Sequence, residues 1–351
     1  ILTSIAPADR EAMDRAKKRQ AELAKPPGSL GKLEDMSIRL AGITGQVRNQ
    51  LESCRILVFA ADNGVIAEGV SSSPESVTLS QAVNMTRHIT GMSALARYFG
   101  NSVVVADVGI NAEVRCPAIL NRKIRRSTRN LAKEPALTRQ EVLDAMGVGL
   151  ELAGQAKEEG VQAIGVGEMG IGNTTTSSAV AAVLLGQPVE VMTGRGAGLS
   201  DEGLARKIDA IHRGIAKNQP DSADALDVLA KLGGFDIAGL CGVFLGGALE
   251  GVPVLADGFI SCVAALCAVR LCPAAAKAVF ASHCSTEPAA KLVLDALNKK
   301  ALITAGLHLG EGTGAVAAIP LWDMALAVYD GCYSFEEGGI EAYTPQGGAG
   351  C

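Results

Sequence analysis

A recurring unit constrains this chain more than any other feature. Short apolar runs, rich in β-branched residues, close on Gly, Asp or His and give way to a helical pattern. Arg55–Asp62 reads RILVFAAD, and Ser102–Gly109 reads SVVVADVG. Val161–Gly167 (VQAIGVG), Val189–Gly194 (VEVMTG), Val252–Gly258 (VPVLADG) and Lys277–His283 (KAVFASH) have the same form. Helical patterns fill most intervals, about Ser76–Phe99, Arg139–Glu159, Thr174–Leu185, Asp201–Lys217, Phe235–Glu250 and Glu287–Leu297. A strand that is apolar almost throughout has no face for water. A parallel sheet covered by helices on both faces accommodates it. The expected fold is therefore α/β and Rossmann-like, with a parallel sheet and helices on both faces. The first 50 residues differ and show no strand pattern. Ala8–Lys25 is a charged helical stretch, Lys25-Pro26-Pro27-Gly28-Ser29 breaks it, and about Leu30–Gly45 forms a second helix. A last helix spans about Gly312–Tyr329, and Asp330–Cys351 reads as a loose glycine-rich tail.

Composition excludes several functions. The chain has 351 residues, 48% of them hydrophobic, which is enough for a large core and rules out global disorder. A net charge of −5 with 3% aromatics supplies neither the basic footprint nor the stacking platforms of a nucleic-acid binder. There are nine Cys and no CxxC pair. Cys262, Cys267 and Cys272 recur every five residues, so they do not share a helical face and read as small buried hydrophobes rather than metal ligands. Scattered cysteines fit a reducing cytosol, and no signal peptide is read at Ile1. The most apolar run, Gly258–Val269, is far short of the ~20 residues of a membrane span. A soluble cytoplasmic protein, binding neither nucleic acid nor membrane, is expected.

In open α/β sheets ligands bind beyond the carboxyl ends of the strands. That rule gathers Asp62, Asp107, Gly167-Glu168, Gly194-Arg195-Gly196, Asp257 and His283. The strongest local pattern is GVGEMGIGNTTTSS, Gly165–Ser178, where a strand ends in glycines and Asn173 with Thr174 and Thr175 opens a helix. Free N–H groups at such a helix start suit a phosphate, although an ordinary capped turn fits equally well. Gly165, Gly167 and Gly170 also satisfy G-x-G-x-x-G, with Glu190 following 20 residues after Gly170. This is formally a dinucleotide fingerprint, which keeps an NAD-dependent oxidoreductase as a remote alternative. Its helix, however, opens beyond the third glycine. A second glycine loop, Thr193–Gly198, is followed by Lys207, either a phosphate partner or a solvated lysine. In a third, Leu309-Gly310-Glu311-Gly312, Glu311 is either a favourable charge at a helix start or a general base. The four His show no paired metal spacing, and adjacent His283 and Cys284 point to opposite faces of an extended chain.

With these pieces assembled, the chain resembles the nicotinate-nucleotide:dimethylbenzimidazole phosphoribosyltransferase family of cobalamin biosynthesis. The resemblance runs to about Tyr329. It is carried in order by KPPGSLGKLE (Lys25–Glu34), AADNGVIAEGVSSSP (Ala60–Pro74), NMTRHITG (Asn84–Gly91), DVGI (Asp107–Ile110), GVGEMGIGNTTT (Gly165–Thr176), NQP (Asn218–Pro220), KLGGFDIAGLCG (Lys231–Gly242), LADGFIS (Leu255–Ser261), SHCSTE (Ser282–Glu287) and LGEGTGA (Leu309–Ala315).

The resemblance implies transfer of the phosphoribosyl group of nicotinate mononucleotide to 5,6-dimethylbenzimidazole or an analogue. Nicotinate and an α-ribazole 5′-phosphate result, with no cofactor and no metal. It places the general base at Glu311 and a second active-site glutamate, near the ribosyl group, at Glu168. Gly170, Asn173, Thr174, Thr175, Gly194, Gly196 and Lys207 fall on the phosphate side. Met85, Asp257, Ser285, Leu309 and Gly310 complete the expected substrate-binding set. It further implies a small helical domain from residues 1–50 and about 312–351, a parallel α/β domain over 51–311, and a homodimer. Asn63 stands where the family commonly has His, and Ile66-Ala67-Glu68 lacks an aromatic–acid pair some members carry. A purine or phenolic base and a hetero-oligomer therefore remain alternatives. Few aromatics lead to the expectation of a base held by aliphatic, Met and backbone contacts.

Overall fold

The computed structural model describes residues 2–343. Strands β1 (Cys54–Ala61), β2 (Ser102–Gly109), β3 (Ile119–Asn121), β4 (Ala163–Met169), β5 (Val254–Ala256) and β6 (Val279–Ala281) form one sheet in the order β3-β2-β1-β4-β5-β6. Every pairing in it is parallel. Around it lie α1 (Arg10–Glu22), α2 (Lys32–Thr44), α3 (Val77–Thr86), α4 (Gly91–Tyr98), α5 (Arg139–Glu158), α6 (Asn173–Leu185) and α7 (Val189–Met192). The chain continues through α8 (Asp201–Asn218), α9 (Ala225–Leu232), α10 (Phe235–Glu250), α11 (Phe259–Leu271), α12 (Ala290–Ala296), α13 (Thr313–Gly331) and α14 (Phe335–Gly338).

Strand β1 explains the two layers. Its side chains alternate between faces. Leu57, Phe59 and Ala61 enter one core with α5, α6, α10 and α11, while Ile56, Val58 and Ala60 enter the other with α2, α3, α4 and α13. A third cluster, Ala12, Ala16, Leu23, Ala41 and Tyr329, joins α1, α2 and the end of α13. Helix α13 thus serves two cores, with Ala315 and Val316 against the sheet and Tyr329 among the N-terminal helices.

Helices α5 and α10 meet backbone to backbone. A Cβ on Gly149 would lie 2.0 Å from the Gly239 carbonyl, and one on Gly242 would lie 2.1 Å from that of Met146. Part of the glycine abundance is therefore helix packing rather than turns.

Local expectations are changed at some points and met at others. Val189–Gly194 is not a strand: Val189–Met192 is the short helix α7, started by Pro188 and burying Val189 and Met192 three residues apart. Ser76–Phe99 is two helices. The chain breaks at His88, whose φ is 57°, and Thr90 restarts it with a capping box on Ser93. Strand β3 is only three residues long, too short to carry a pattern. The apolar run after Gly258 is α11, in which Cys262 and Cys267 are buried, with Cys272 buried at its cap. Within the expected loose tail, Phe335–Gly338 is helical; the rest of that expectation, from residue 344 on, lies outside the described residues. Among the described residues no helix is long and apolar enough to cross a membrane.

The α5–α10 contact makes a test of packing. Gly242→Ala forces a methyl onto the Met146 backbone and is expected to cost about 1–3 kcal/mol of stability. Denaturant unfolding of the two proteins measures it.

Candidate active site

The strand order reverses at β1, whose neighbours β2 and β4 lead the chain outward in opposite directions. A crevice beyond the carboxyl ends at such a point is the preferred ligand position of this architecture. A cavity of about 290 Å³ lies there. Its wall is built from the end of β4, the first turn of α6, the loop before α13, and the segments after β5 and β6.

The loop before α13 is the most constrained part. Gly310, Glu311 and Gly312 all have left-handed backbone, with φ of 77°, 65° and 98°. For Glu311 this costs about 1–2 kcal/mol. Three contacts hold it. The Asp257 carboxylate, at the end of β5, accepts Gly312 N–H at 2.9 Å and Gly314 N–H at 2.6 Å. His283 Nε2, following β6, lies 3.3 Å from the same carboxylate. The loop also rests on β4 at Gly167, where a Cβ would meet the Glu311 carbonyl at 2.2 Å. The Glu311 side chain is buried. Gln81 Nε2 donates to its Oε1 at 3.1 Å, and its Oε2 has no protein partner. Burial raises its pKa; the Gln81 hydrogen bond opposes this, the Asp257 charge adds to it, and the nearby Thr90 hydroxyl opposes it further.

Glu168 ends β4 on the same cavity wall. Its Oε1 accepts the Glu311 N–H at 3.3 Å, and its Oε2 accepts from Asn173 Nδ2. Asn173 Nδ2 also donates to Asp236 Oδ2 at 2.9 Å. Burial, then the Asp236 charge, holds the Glu168 carboxyl well above the ordinary glutamate range. Burial likewise raises Asp236 to about 6, against the Asn173 hydrogen bond.

The opposite end of the cavity suits an anion. Helix α6 begins at Asn173 after Gly172 (φ 94°), and its positive dipole end faces the cavity; the Asn173 and Thr175 N–H groups donate to the Gly170 and Gly172 carbonyls, which leaves the Thr174 N–H for a ligand. Lys207, fully buried, donates to Thr174 Oγ1 at 2.8 Å and to the Gly194 carbonyl at 2.9 Å. Burial lowers its pKa to about 8, with the Glu287 charge opposing, so the ammonium form holds at neutral pH. Glu287 Oε1 accepts the Gly196 N–H at 3.1 Å.

The structure brings Glu168, Gly170, Asn173, Thr174, Gly196, Asp257, Ser285, Leu309, Gly310 and Glu311 to the cavity wall. Gly194 and Lys207 stand behind it, linked to it through Thr174. Two expected residues are elsewhere. Met85 is fully buried in the core beneath the sheet, and Thr175 points into the interior of α6's packing with no exposure. Asp257 takes two backbone N–H groups of the loop and pairs with His283, so it shapes the loop. Asp107 is drawn off to Lys123 at 3.1 Å. Sequence reasoning missed Gln81, Asp236 and Glu287; Asp236 and Glu287 fall within quoted motifs, whereas Gln81 lies in a helix with nothing to mark it. The dinucleotide alternative fails on packing. A Cβ on Gly170 would strike the Ala61 carbonyl at 2.3 Å, so that glycine serves strand packing, and Glu190 pairs with exposed His212 away from the cavity. The walls include Val70, Val77, Met169, Ile171 and Leu309 and one phenyl ring, Phe259.

A parallel α/β sheet with buried carboxylates facing a helix N-terminus across one cavity defines a protein that handles a phosphorylated small molecule. Comparison with known proteins makes this specific. A family model described as phosphoribosyltransferase matches residues 5–340. The nicotinate-nucleotide–dimethylbenzimidazole phosphoribosyltransferase of Acetivibrio thermocellus is 46% identical over 345 residues, 98% of each chain. That of Ruminiclostridium cellulolyticum is 46% identical over 344 residues, again 98% of each. The crystal structure of CobT from Thermus thermophilus superposes with a TM-score of 0.90 at 39% identity, covering 94% of this chain and 99% of that one. The chain belongs to this phosphoribosyltransferase family and is an enzyme of that class.

The seat of the Glu311 loop can be tested directly. Gly167→Ala drives a methyl into the Glu311 carbonyl and is expected to lower the phosphoribosyl-transfer rate by about 100-fold, as a displacement near 1 Å does. Steady-state kinetics on a variant shown folded by circular dichroism check it.

Proposed function

We propose that this enzyme transfers the phosphoribosyl group of nicotinate mononucleotide to 5,6-dimethylbenzimidazole or a closely similar base, with Glu311 as general base. The observation that carries the proposal is the free Oε2 of Glu311, a buried carboxylate oxygen without a protein partner on the cavity wall. It suits a ring N–H of an incoming base. Such a base is a poor nucleophile until that proton leaves, and a positioned carboxylate accelerates this step by typically ~10²–10⁴-fold. Glu168 is the group that faces the ribosyl carbon. As nicotinate departs, positive charge grows on that carbon, and an ionised Glu168 stabilises it. Nicotinate leaves readily because it departs from a pyridinium. The first turn of α6, with Thr174 and Gly196 backed by Lys207, takes the 5′-phosphate. Val70, Val77, Ile171 and Leu309 give a flat bicyclic ring an apolar slot.

The proposal extends to organisation. Ile89, Leu95, Tyr98 and Phe99 form an exposed apolar surface on and beside α4. It continues to Leu309 at the cavity rim, which lies within 2.8 Å of a Cβ built on Gly91. This favours a homodimer whose second copy completes the site. The separate cluster of α1, α2 and the end of α13 favours a small helical domain from residues 1–50 and the chain end, beside an α/β domain over about 51–311. Eight free cysteines among the described residues favour work in the cytoplasm.

Two outcomes test the chemistry. Glu311→Gln is expected to lower kcat for nicotinate release with dimethylbenzimidazole by ~10²–10⁴-fold while nicotinate mononucleotide still binds in calorimetry. A rate within a few-fold of the native enzyme overturns the role. The base works ionised, and burial raises its pKa, so the native rate should climb with pH through a midpoint above the ordinary 4.5. That rise should be missing from the residual rate of Glu311→Gln.

A further inference from the structure

We infer that Asp236, a residue without contact to the cavity, positions Asn173 and sets the charge of Glu168, so that Glu168 ionises only when a cation occupies the site. The inference rests on the proposed place of Glu168 beside the ribosyl carbon.

The geometry is a three-residue bridge. Asn173 spends its Nδ2 on both carboxylates, Glu168 Oε2 on one side and Asp236 Oδ2 at 2.9 Å on the other. Asp236 is fully buried at the start of α10 and is absent from the cavity wall. Its other oxygen accepts the Ile237 N–H at 3.0 Å. Two glycines allow the approach. A Cβ on Gly234 would lie 2.5 Å from Asp236 Oδ1, and one on Gly170 would lie 2.9 Å from Oδ2.

The groups facing this bridge are acidic or neutral. Asp62 from the end of β1 acts on Asp236, and Asp257 from β5 acts on Glu168. The Glu311 peptide donates to Glu168 from the α13 loop, and Asn63 approaches Asp236 beside Gly234. Arg125 stacks on the neighbouring Phe235 ring but bonds to Glu141. Among the described residues no ion pair joins Asp236 or Glu168.

Two buried carboxylates sharing one donor, without a cation between them, do not both ionise cheaply. Glu168, the one on the wall, therefore keeps its proton in the empty site. A pyridinium nucleotide supplies the missing positive charge, Glu168 ionises, and its proton goes to solvent. The resulting carboxylate stands under the ribosyl carbon as its charge grows. A neutral ribosyl ligand leaves Glu168 protonated and gains no such attraction, so Asp236 directs the site toward nucleotides with a positively charged ring nitrogen without touching them.

The test is the pH dependence of nicotinate mononucleotide binding, measured by calorimetry in Glu311→Gln so that the base does not titrate. Binding should strengthen with pH as Glu168 ionises. Adding Asp236→Asn removes a negative neighbour and should move that midpoint down by about one pH unit. Adding Asn173→Ala instead removes the donor that favours ionised Glu168 and should move it up. A residue that merely supports the fold would weaken binding equally at every pH. Adding Glu168→Gln should abolish the midpoint; if it survives there, the placement of Glu168 fails and the inference with it. If Glu168→Gln abolishes it but Asp236→Asn leaves it in place, the inference alone is overturned. Should Asp236→Asn not fold, the direction of the Asn173→Ala shift decides.

Discussion

The site depends on the seating of one turn against one strand. Gly310, Glu311 and Gly312 turn through left-handed backbone directly onto β4, and only a glycine at 167 leaves room for the Glu311 carbonyl. The turn does not hold itself in that conformation. Asp257 holds it by taking two N–H groups from the start of α13, and His283 holds Asp257. The same Asp257 oxygens neutralise the positive end of α13, which would otherwise stabilise an ionised Glu311. One carboxylate therefore fixes where Glu311 stands and removes a field that would lower its proton affinity.

Electrostatics then divide the cavity. The α6 start and Lys207 make one end positive, whereas the buried acids Asp236 and Asp257 behind Glu168 and Glu311 make the other negative. A substrate with an anionic phosphate and a positively charged ring nitrogen at its ribosyl carbon has one orientation that satisfies both ends. Reversal would put phosphate against carboxylates in a site of low dielectric, where such contacts are strongest. Orientation is thus set by the field before any specific hydrogen bond forms.

Much of this was legible in the chain. The near-continuous apolar runs required a doubly covered parallel sheet, and β1 shows why: both of its faces are core. The strand-end rule located Glu168 and Asp257, and the glycine loop marked Glu311. Legibility failed where the signal was not local. Val189–Met192 carried β-branched residues yet buried positions three apart, so period outweighed propensity. Met85 and Thr175 lay inside matching motifs but on the inward side of their helices, a distinction that needs the packing partner. Asp236 had no signal of its own, because its role comes from a bridge to Asn173 across 63 residues of chain.

The two cavity glutamates illustrate how environment separates identical side chains. Glu168 is buried on the cavity wall with other acids behind it, so its charge responds to what enters the cavity. Glu311 is held by a neutral amide and keeps one oxygen free, so its proton affinity is raised less and remains available for transfer. Exchanging the roles would fail on both counts. An acid as suppressed as Glu168 would be a base only at high pH, and one as accommodating as Glu311 would not discriminate a cation. The separation follows from position: Glu168 stands at a strand end beside Asn173 and Asp236, while Glu311 rides on a turn and meets Gln81.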